Sequence, residues 1–269
     1  MSEGGPGRGH IARHWAGLRQ AGRPALIPYV TAGYPSAEAT VATLQLVAEE
    51  GADLVEVGIP FSDPLADGPV IQRASFAALE GGTTVRRVLD MVRTADLAIP
   101  VVLFSYLNPV LRYGLARFLD DAQEVGASGL LLTDLPMGAD PPVEAAIDAG
   151  GLDRIPLVAL TTKPARLAAA VEGASGFVYL ISRLGVTGGG TTIGGDVAAV
   201  IASLRDVTSL PIALGFGIGT GAEAAAAAAC ADGVVVGSAL VRRMAEGPAA
   251  VRPFIAELRH ALDAVAVGS

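Results

Sequence analysis

Cysteine is nearly absent from this 269-residue sequence. Cys230 stands alone, which excludes an internal disulfide framework and a cysteine metal cluster. Histidine is scarce too: His10, His14 and His260 lie near the two ends, outside every strand-end loop the pattern suggests. A histidine metal site or a Ser-His-Asp triad therefore has no good candidates. Lysine occurs once, at Lys163, so a Schiff-base mechanism would rest on that residue alone. It precedes a proline in a loop and reads more simply as a solvated side chain. Positive charge is short overall. The formal charge of -8 and the pI near 4.9 argue against nucleic acid as a partner. Basic residues form no stripe suited to an anionic membrane surface. No run reaches the roughly 18 apolar residues of a membrane span. The first ten residues contain no apolar signal core, so a cytoplasmic protein is expected.

What is abundant is apolar: 51% of the residues are hydrophobic, enough for a large core. Short β-branched-rich runs at 26–31, 54–57, 101–104, 129–133, 157–160, 177–181, 212–214 and 234–236 alternate with Ala/Leu-rich amphipathic segments. Those segments span 37–50, 84–95, 115–125, 143–149, 164–171, 196–205 and 222–229, and a last helix is expected over 248–265. Such alternation means parallel strands joined by right-handed crossovers. About eight units without a composition break predict an α/β fold, a single-domain (β/α)8 TIM barrel. An extra N-terminal helix over 11–20, with Ile11, Trp15 and Leu18 on one face, would close its bottom. The expected organisation is a flexible segment over 1–10 and a barrel domain over 11–269. A doubly wound open sheet fits less well, because the loop after the first strand, TAGYPS, lacks a dinucleotide fingerprint.

The most informative stretch is LVEVGIPFSDPLADGP, residues 54–69. Glu56 interrupts an otherwise apolar strand, and Asp63 and Asp67 follow in a Pro-studded loop. An ionised Glu in a dry strand costs several kcal/mol unless something satisfies it. Such a group beside two carboxylates suits proton-transfer chemistry. It also suits a plainer arrangement, a hydrogen-bonded strand-end Glu with turn-capping Asp residues. The Asp63/Asp67 spacing admits Mg²⁺ in principle, but hard-ion sites recruit further oxygens. Asp134, in TDLP after the fourth strand, reads as a loop-orienting residue.

Glycine concentrates late in the chain: in YLISRLGVTGGGTTIGGD over 179–196, in ALGFGIGTG over 213–221, and at Gly237 beside Ser238. Gly-rich turns after the last barrel strands, opening onto helix N-termini, make a phosphate cradle built from amides rather than lysines. The first of them also suits a moving lid. Tyr29, Tyr106 and Tyr179, near strand ends, would line a pocket or simply pack with satisfied hydroxyls.

Taken together, LVEVGIPFSDPLADGPVIQ, SRLGVTG, LGFGI and VVVGSA resemble the tryptophan synthase α subunit family, from IPYVTAGYP nearly to the end. The resemblance implies a lyase performing retro-aldol cleavage of indole-3-glycerol phosphate to indole and glyceraldehyde 3-phosphate. It implies that Glu56 and Asp67 are catalytic and that Thr187 belongs to a lid. Tyr179, Tyr106 and Tyr29 would shape the substrate pocket, and Gly188, Gly217, Gly237 and Ser238 would hold phosphate. Asp63, Pro64, Asn108 and Pro109 would face a β subunit in an α2β2 complex. No metal or cofactor is implied for this chain; pyridoxal phosphate is expected only in the β subunit. Two alternatives fit the same residues, a free-standing lyase that releases indole and a sugar-phosphate-binding barrel that regulates a partner. Leu184 and Tyr29 depart from the family pattern, at positions where a small or polar residue and a Phe are usual.

Overall fold

The computed structural model describes residues 9–181, 195–215 and 217–265, without the side chains of residues 195 and 196. Among them, nine strands form one parallel sheet. In chain order they are β1 (Ala25–Thr31), β2 (Val55–Gly58), β3 (Val101–Ser105), β4 (Ala127–Leu132), β5 (Asp153–Arg154), β6 (Leu157–Ala159), β7 (Val178–Ile181), β8 (Ile212–Gly215) and β9 (Gly233–Val236). β1 pairs with both β2 and β9, so first and last strands are neighbours. β5 and β6 are two halves of the expected fifth strand. β5 pairs with β4 and β6 pairs with β7. The break falls at Pro156, which has no N–H to give a ladder. The backbone still bridges both sides there: Ile155 N–H donates to Leu130 O, and Pro156 O accepts from Tyr179 N–H, both at 3.0 Å. The sheet thus curls into an eight-position (β/α) barrel.

Twelve helices surround the described strands: α1 (His10–Gln20), α2 (Ala37–Glu49), α3 (Pro69–Glu80), α4 (Val85–Ala95), α5 (Leu107–Tyr113), α6 (Leu115–Glu124), α7 (Pro141–Ala149), α8 (Pro164–Val171), α9 (Gly195–Arg205), α10 (Gly221–Ala228), α11 (Ser238–Met244) and α12 (Pro248–Asp263). Side-chain caps open several of them: Ser36 for α2, Thr84 for α4, Asp140 for α7 and Thr220 for α10. α3, α5 and α11 are additions to the expected set. α3 buries only Ala74, Ser75 and Ala78, so its sequence has almost no apolar stripe to read.

Two apolar layers result. Outward-facing strand residues pack under the helices, while inward-facing ones form a second core with α1. Ile11, Trp15 and Leu18 plug the N-terminal end of the barrel, and Trp15 meets Phe177 at 6.0 Å between ring centres. Gly129 and Gly233 make the room, since a Cβ on either would meet Ile11 Cδ1 at 2.9 Å or the Trp15 ring at 2.7 Å. Nearby, the buried Asp53 carboxylate accepts from Leu26 N–H (2.8 Å), Arg23 (2.7 Å) and Arg259 (2.9 Å). That cluster ties α12 to the first two strands and leaves the opposite, C-terminal end free for chemistry.

Candidate active site

β2 sets the position of the first acid. Leu54 belongs to the inner core while Val55 and Val57 belong to the outer one, so strand alternation turns Glu56 into the barrel. Its register partners are Tyr29 and Val102. The side chain is fully buried, and neither carboxylate oxygen has a hydrogen-bond partner among the described residues. Burial without compensation pushes its pKa well above the usual carboxylate range. Burial thus favours the protonated form of Glu56, which has a proton to give.

The second acid is held differently. The loop between β2 and α3 folds over the barrel mouth, with Asp67 N–H donating to Pro64 O at 3.1 Å. The Tyr106 hydroxyl clips this loop twice, accepting from Ala66 N–H at 2.9 Å and donating to Asp67 Oδ2 at 3.2 Å. Gln72 braces it from α3 through the carbonyls of Pro64 and Asp67. Burial pushes the Asp67 pKa up to about 6, opposed by the Tyr106 hydrogen bond. Asp67 is mostly ionised at pH 7. The two carboxyls thus differ in environment, one fully buried without a hydrogen-bond partner among the described residues and one held by a tyrosine, the pattern expected of an acid and an electrostatic stabiliser.

Asp67 lines a cavity of about 330 Å³; Glu56 does not line it itself, but its register partner Tyr29 does. Tyr29, Phe104 and Tyr179 form one wall, with Phe104 edge-on to both tyrosines at 5.3 and 6.4 Å. Asp67, Ile71, Gly217, Gly237 and Ser238 also line it, with Ile71 Cδ1 3.7 Å from where a Cβ on Gly237 would lie. Gly217 has φ 68°, a left-handed conformation suited to glycine. Gly237 has an ordinary φ of -106°, and a Cβ there would meet nothing nearer than 3.7 Å. The fold leaves that space open. Gly219 N–H is taken by Glu223 and Gly221 N–H by Glu257, each at 2.8 Å. The neighbouring Gly217 and the Gly237–Ser238 start of α11 are the parts of this rim that face the cavity.

The other expected residues fall in three places. Tyr106 stands behind Asp67 rather than on the cavity wall. Asp63, Pro64, Asn108 and Pro109 lie on the outer side, where Asp63, Asn108 and Pro109 share a groove with Phe61 and Tyr113. Pro64 sits with the exposed Leu65 and Phe76 in an adjoining one. Thr187, Gly188 and Leu184 are outside the described residues. Lys163 lines a separate cavity with Thr162 and Arg166. Asp134 accepts from Leu107 N–H at 2.7 Å, a loop-orienting role. Phe104, Thr133, Leu157 and Ile181 also line the reaction cavity. Inward parity at the C-terminal ends of β3, β4 and β7 was the available signal for Phe104, Thr133 and Ile181, while Leu157 opens β6. No group of three or more His, Cys, Asp or Glu suited to a metal occurs among the described residues, and none of their helices is long and apolar enough to cross a membrane.

Comparison with known proteins bears on this geometry. The sequence model of a family described as tryptophan synthase alpha chain matches residues 15–265. The tryptophan synthase alpha chain of Laribacter hongkongensis is 46% identical over 261 residues, covering 94% of this chain and 99% of the relative. That of Geobacter sulfurreducens is 44% identical over 259 residues, covering 94% and 98%. A solved chain of Mycobacterium tuberculosis tryptophan synthase superposes with a TM-score of 0.88 at 40% identity, covering 96% of this chain and 98% of that one.

Proposed function

Since this chain belongs to the tryptophan synthase alpha chain family, we propose that its barrel-mouth cavity is where indole-3-glycerol phosphate undergoes retro-aldol cleavage to indole and glyceraldehyde 3-phosphate. The protein is a lyase of that family. The observation that carries the assignment of the site is a fully buried Glu56, without a hydrogen-bond partner among the described residues, in register with a tyrosine of the cavity that the tyrosine-held Asp67 lines.

The steps balance without a cofactor in this chain. Glu56 gives its proton to indole C3, and the ring becomes cationic. Asp67 accepts a hydrogen bond from the ring N–H and stabilises that charge. The Glu56 carboxylate then removes the proton of the side-chain hydroxyl. As the hydroxyl becomes a carbonyl, the carbon–carbon bond breaks and its electrons return to the ring. Glu56 ends as it began, protonated. Tyr29, Phe104 and Tyr179 pack the indole, while the amides around Gly217, Gly237 and Ser238 hold the phosphate dianion. Thr187, which the resemblance makes a lid residue, and Gly188, which it makes a phosphate contact, lie outside the described residues.

The outer face bearing Asp63, Pro64, Asn108 and Pro109 receives a β subunit in an α2β2 complex. That subunit carries the pyridoxal phosphate that consumes indole. A cytoplasmic location fits this role. The test is indole release from indole-3-glycerol phosphate in chelator, with and without a β subunit. Turnover in chelator is expected, increased by the partner. Glu56→Gln and Asp67→Asn should each remove nearly all of it while folding is retained. Near wild-type kcat in either variant would reassign that residue, and full activity without any partner would favour a free-standing lyase.

A further inference from the structure

We infer that Asp134 is a positioning residue for Asp67, acting through the backbone of Leu107 and the side chain of Tyr106. The inference rests on the reading that Asp67 works as an ionised group. α5 begins with Tyr106 at its N-cap, a position that has no side-chain capping bond of its own. A tyrosine hydroxyl is too far along its ring to reach back to the first turn, and here it is committed to Asp67 and Ala66. The missing acceptor comes from the next loop. Asp134 Oδ1 takes Leu107 N–H, the first amide of α5, at 2.7 Å. Its carboxylate is also favourable at the positive end of the helix.

The same loop holds the other side of Tyr106. Thr133 N–H donates to Ser105 O at 3.0 Å, and Thr133 Oγ1 donates to the same oxygen at 3.4 Å. Tyr106 is therefore bracketed by residues 105 and 107, both fastened to consecutive residues after β4. Its ring rests against Phe61 at 5.1 Å between centres. A shift at Leu107 is carried along this ring to the two atoms its hydroxyl clips, Ala66 N and Asp67 Oδ2. Asp134 itself does not line the cavity, while its neighbour Thr133 does; the Asp67 titration, which a change passed through Thr133 to the substrate would not move, is what distinguishes the route through Tyr106. α5 contributes the position, not the reaction.

Asp134→Ala removes the acceptor, while Asp134→Asn keeps an oxygen that can accept Leu107 N–H. The expected loss in kcat for Asp134→Ala is about fivefold, the scale of one lost helix cap, with KM little changed. Asp134→Asn should restore most of it. A direct readout, independent of turnover, is ¹³C NMR titration of the Asp67 carboxyl in the ligand-free protein, assigned with Asp67→Asn. Weakening the Tyr106 hydrogen bond should raise the Asp67 pKa in Asp134→Ala, as in Tyr106→Phe. An unchanged Asp67 titration in folded Asp134→Ala, or equal defects in the Ala and Asn variants, would overturn the inference. Failure of the wild-type protein to cleave indole-3-glycerol phosphate would instead remove the functional reading and leave the titration result standing.

Discussion

Tyr29 Oη occupies the space that a Cβ on Gly58 would need. Gly58 is the next inward position above Glu56 on β2, and Tyr29 is the register partner of Glu56 on β1. Across the cavity Tyr179 lies in the same way over Gly215 of β8. Each tyrosine is thus laid flat toward the neighbouring strand by a glycine, and Phe104 fills the gap between the two rings.

Gly58→Ala should consequently destabilise the protein by about 1–3 kcal/mol, the usual cost of forcing a methyl into a packed core. It should also lower kcat/KM, because the displaced ring moves into the cavity. Adding Tyr29→Phe removes the worst clash, so the double variant should recover part of the lost stability in urea unfolding. Strict additivity of the two changes would mean that the contact does not bear on folding.

This contact shows what a sequence can and cannot display. The barrel is legible because parallel strands covered on both faces need continuous apolar runs, and eight such runs stand out. Glu56 is legible because it breaks one of them. Tyr106 is different: its partner Asp67 is 39 residues away, and nothing in a tyrosine after a strand says that its hydroxyl will clip a distant loop. The split of the fifth strand needed the pairing of both flanks to be seen, although Pro156 marks the place. Of the short helices, α5 buries only Val110, and α11, though it buries four residues, is seven residues long and too short to display a helical period. The lid role of Thr187 and the phosphate role of Gly188 rest on resemblance alone.

The two acids predict the pH dependence of turnover. Asp67 must be ionised, so kcat/KM should fall as pH drops through about 6. Glu56 must be protonated at the start, so activity should fall again once pH exceeds its raised pKa. Tyr106→Phe removes a hydrogen bond that favours the Asp67 carboxylate. Its acid limb should therefore move to higher pH, with the alkaline limb in place. An acid limb at the ordinary Asp range near 4 would show that Asp67 is not the group being read.

Gly237 tests the phosphate end. The protein has room for a methyl there and the backbone φ is ordinary, so Gly237→Ala should leave the thermal midpoint nearly unchanged. A ligand lying against that backbone has no such room. KM for the phosphorylated substrate should rise by roughly tenfold, a loss of about 1.4 kcal/mol, with a much smaller change in kcat. A variant with unchanged KM would move the phosphate away from this rim.

Glu56 also has a stability signature that needs no substrate. Its pKa is raised on folding by burial, so the native state keeps a proton that the unfolded chain gives up. The stability associated with that proton is complete below the unfolded pKa of about 4.3 and is lost as pH rises toward the folded value. Glu56→Gln has no such proton to lose. The variant should match the wild type in thermal midpoint near pH 4 and exceed it increasingly as pH rises above about 5, until the folded pKa of Glu56 is passed. A constant difference across the range would mean that Glu56 ionises as readily inside the barrel as in water. The acid needed to protonate indole C3 would then have to come from somewhere else.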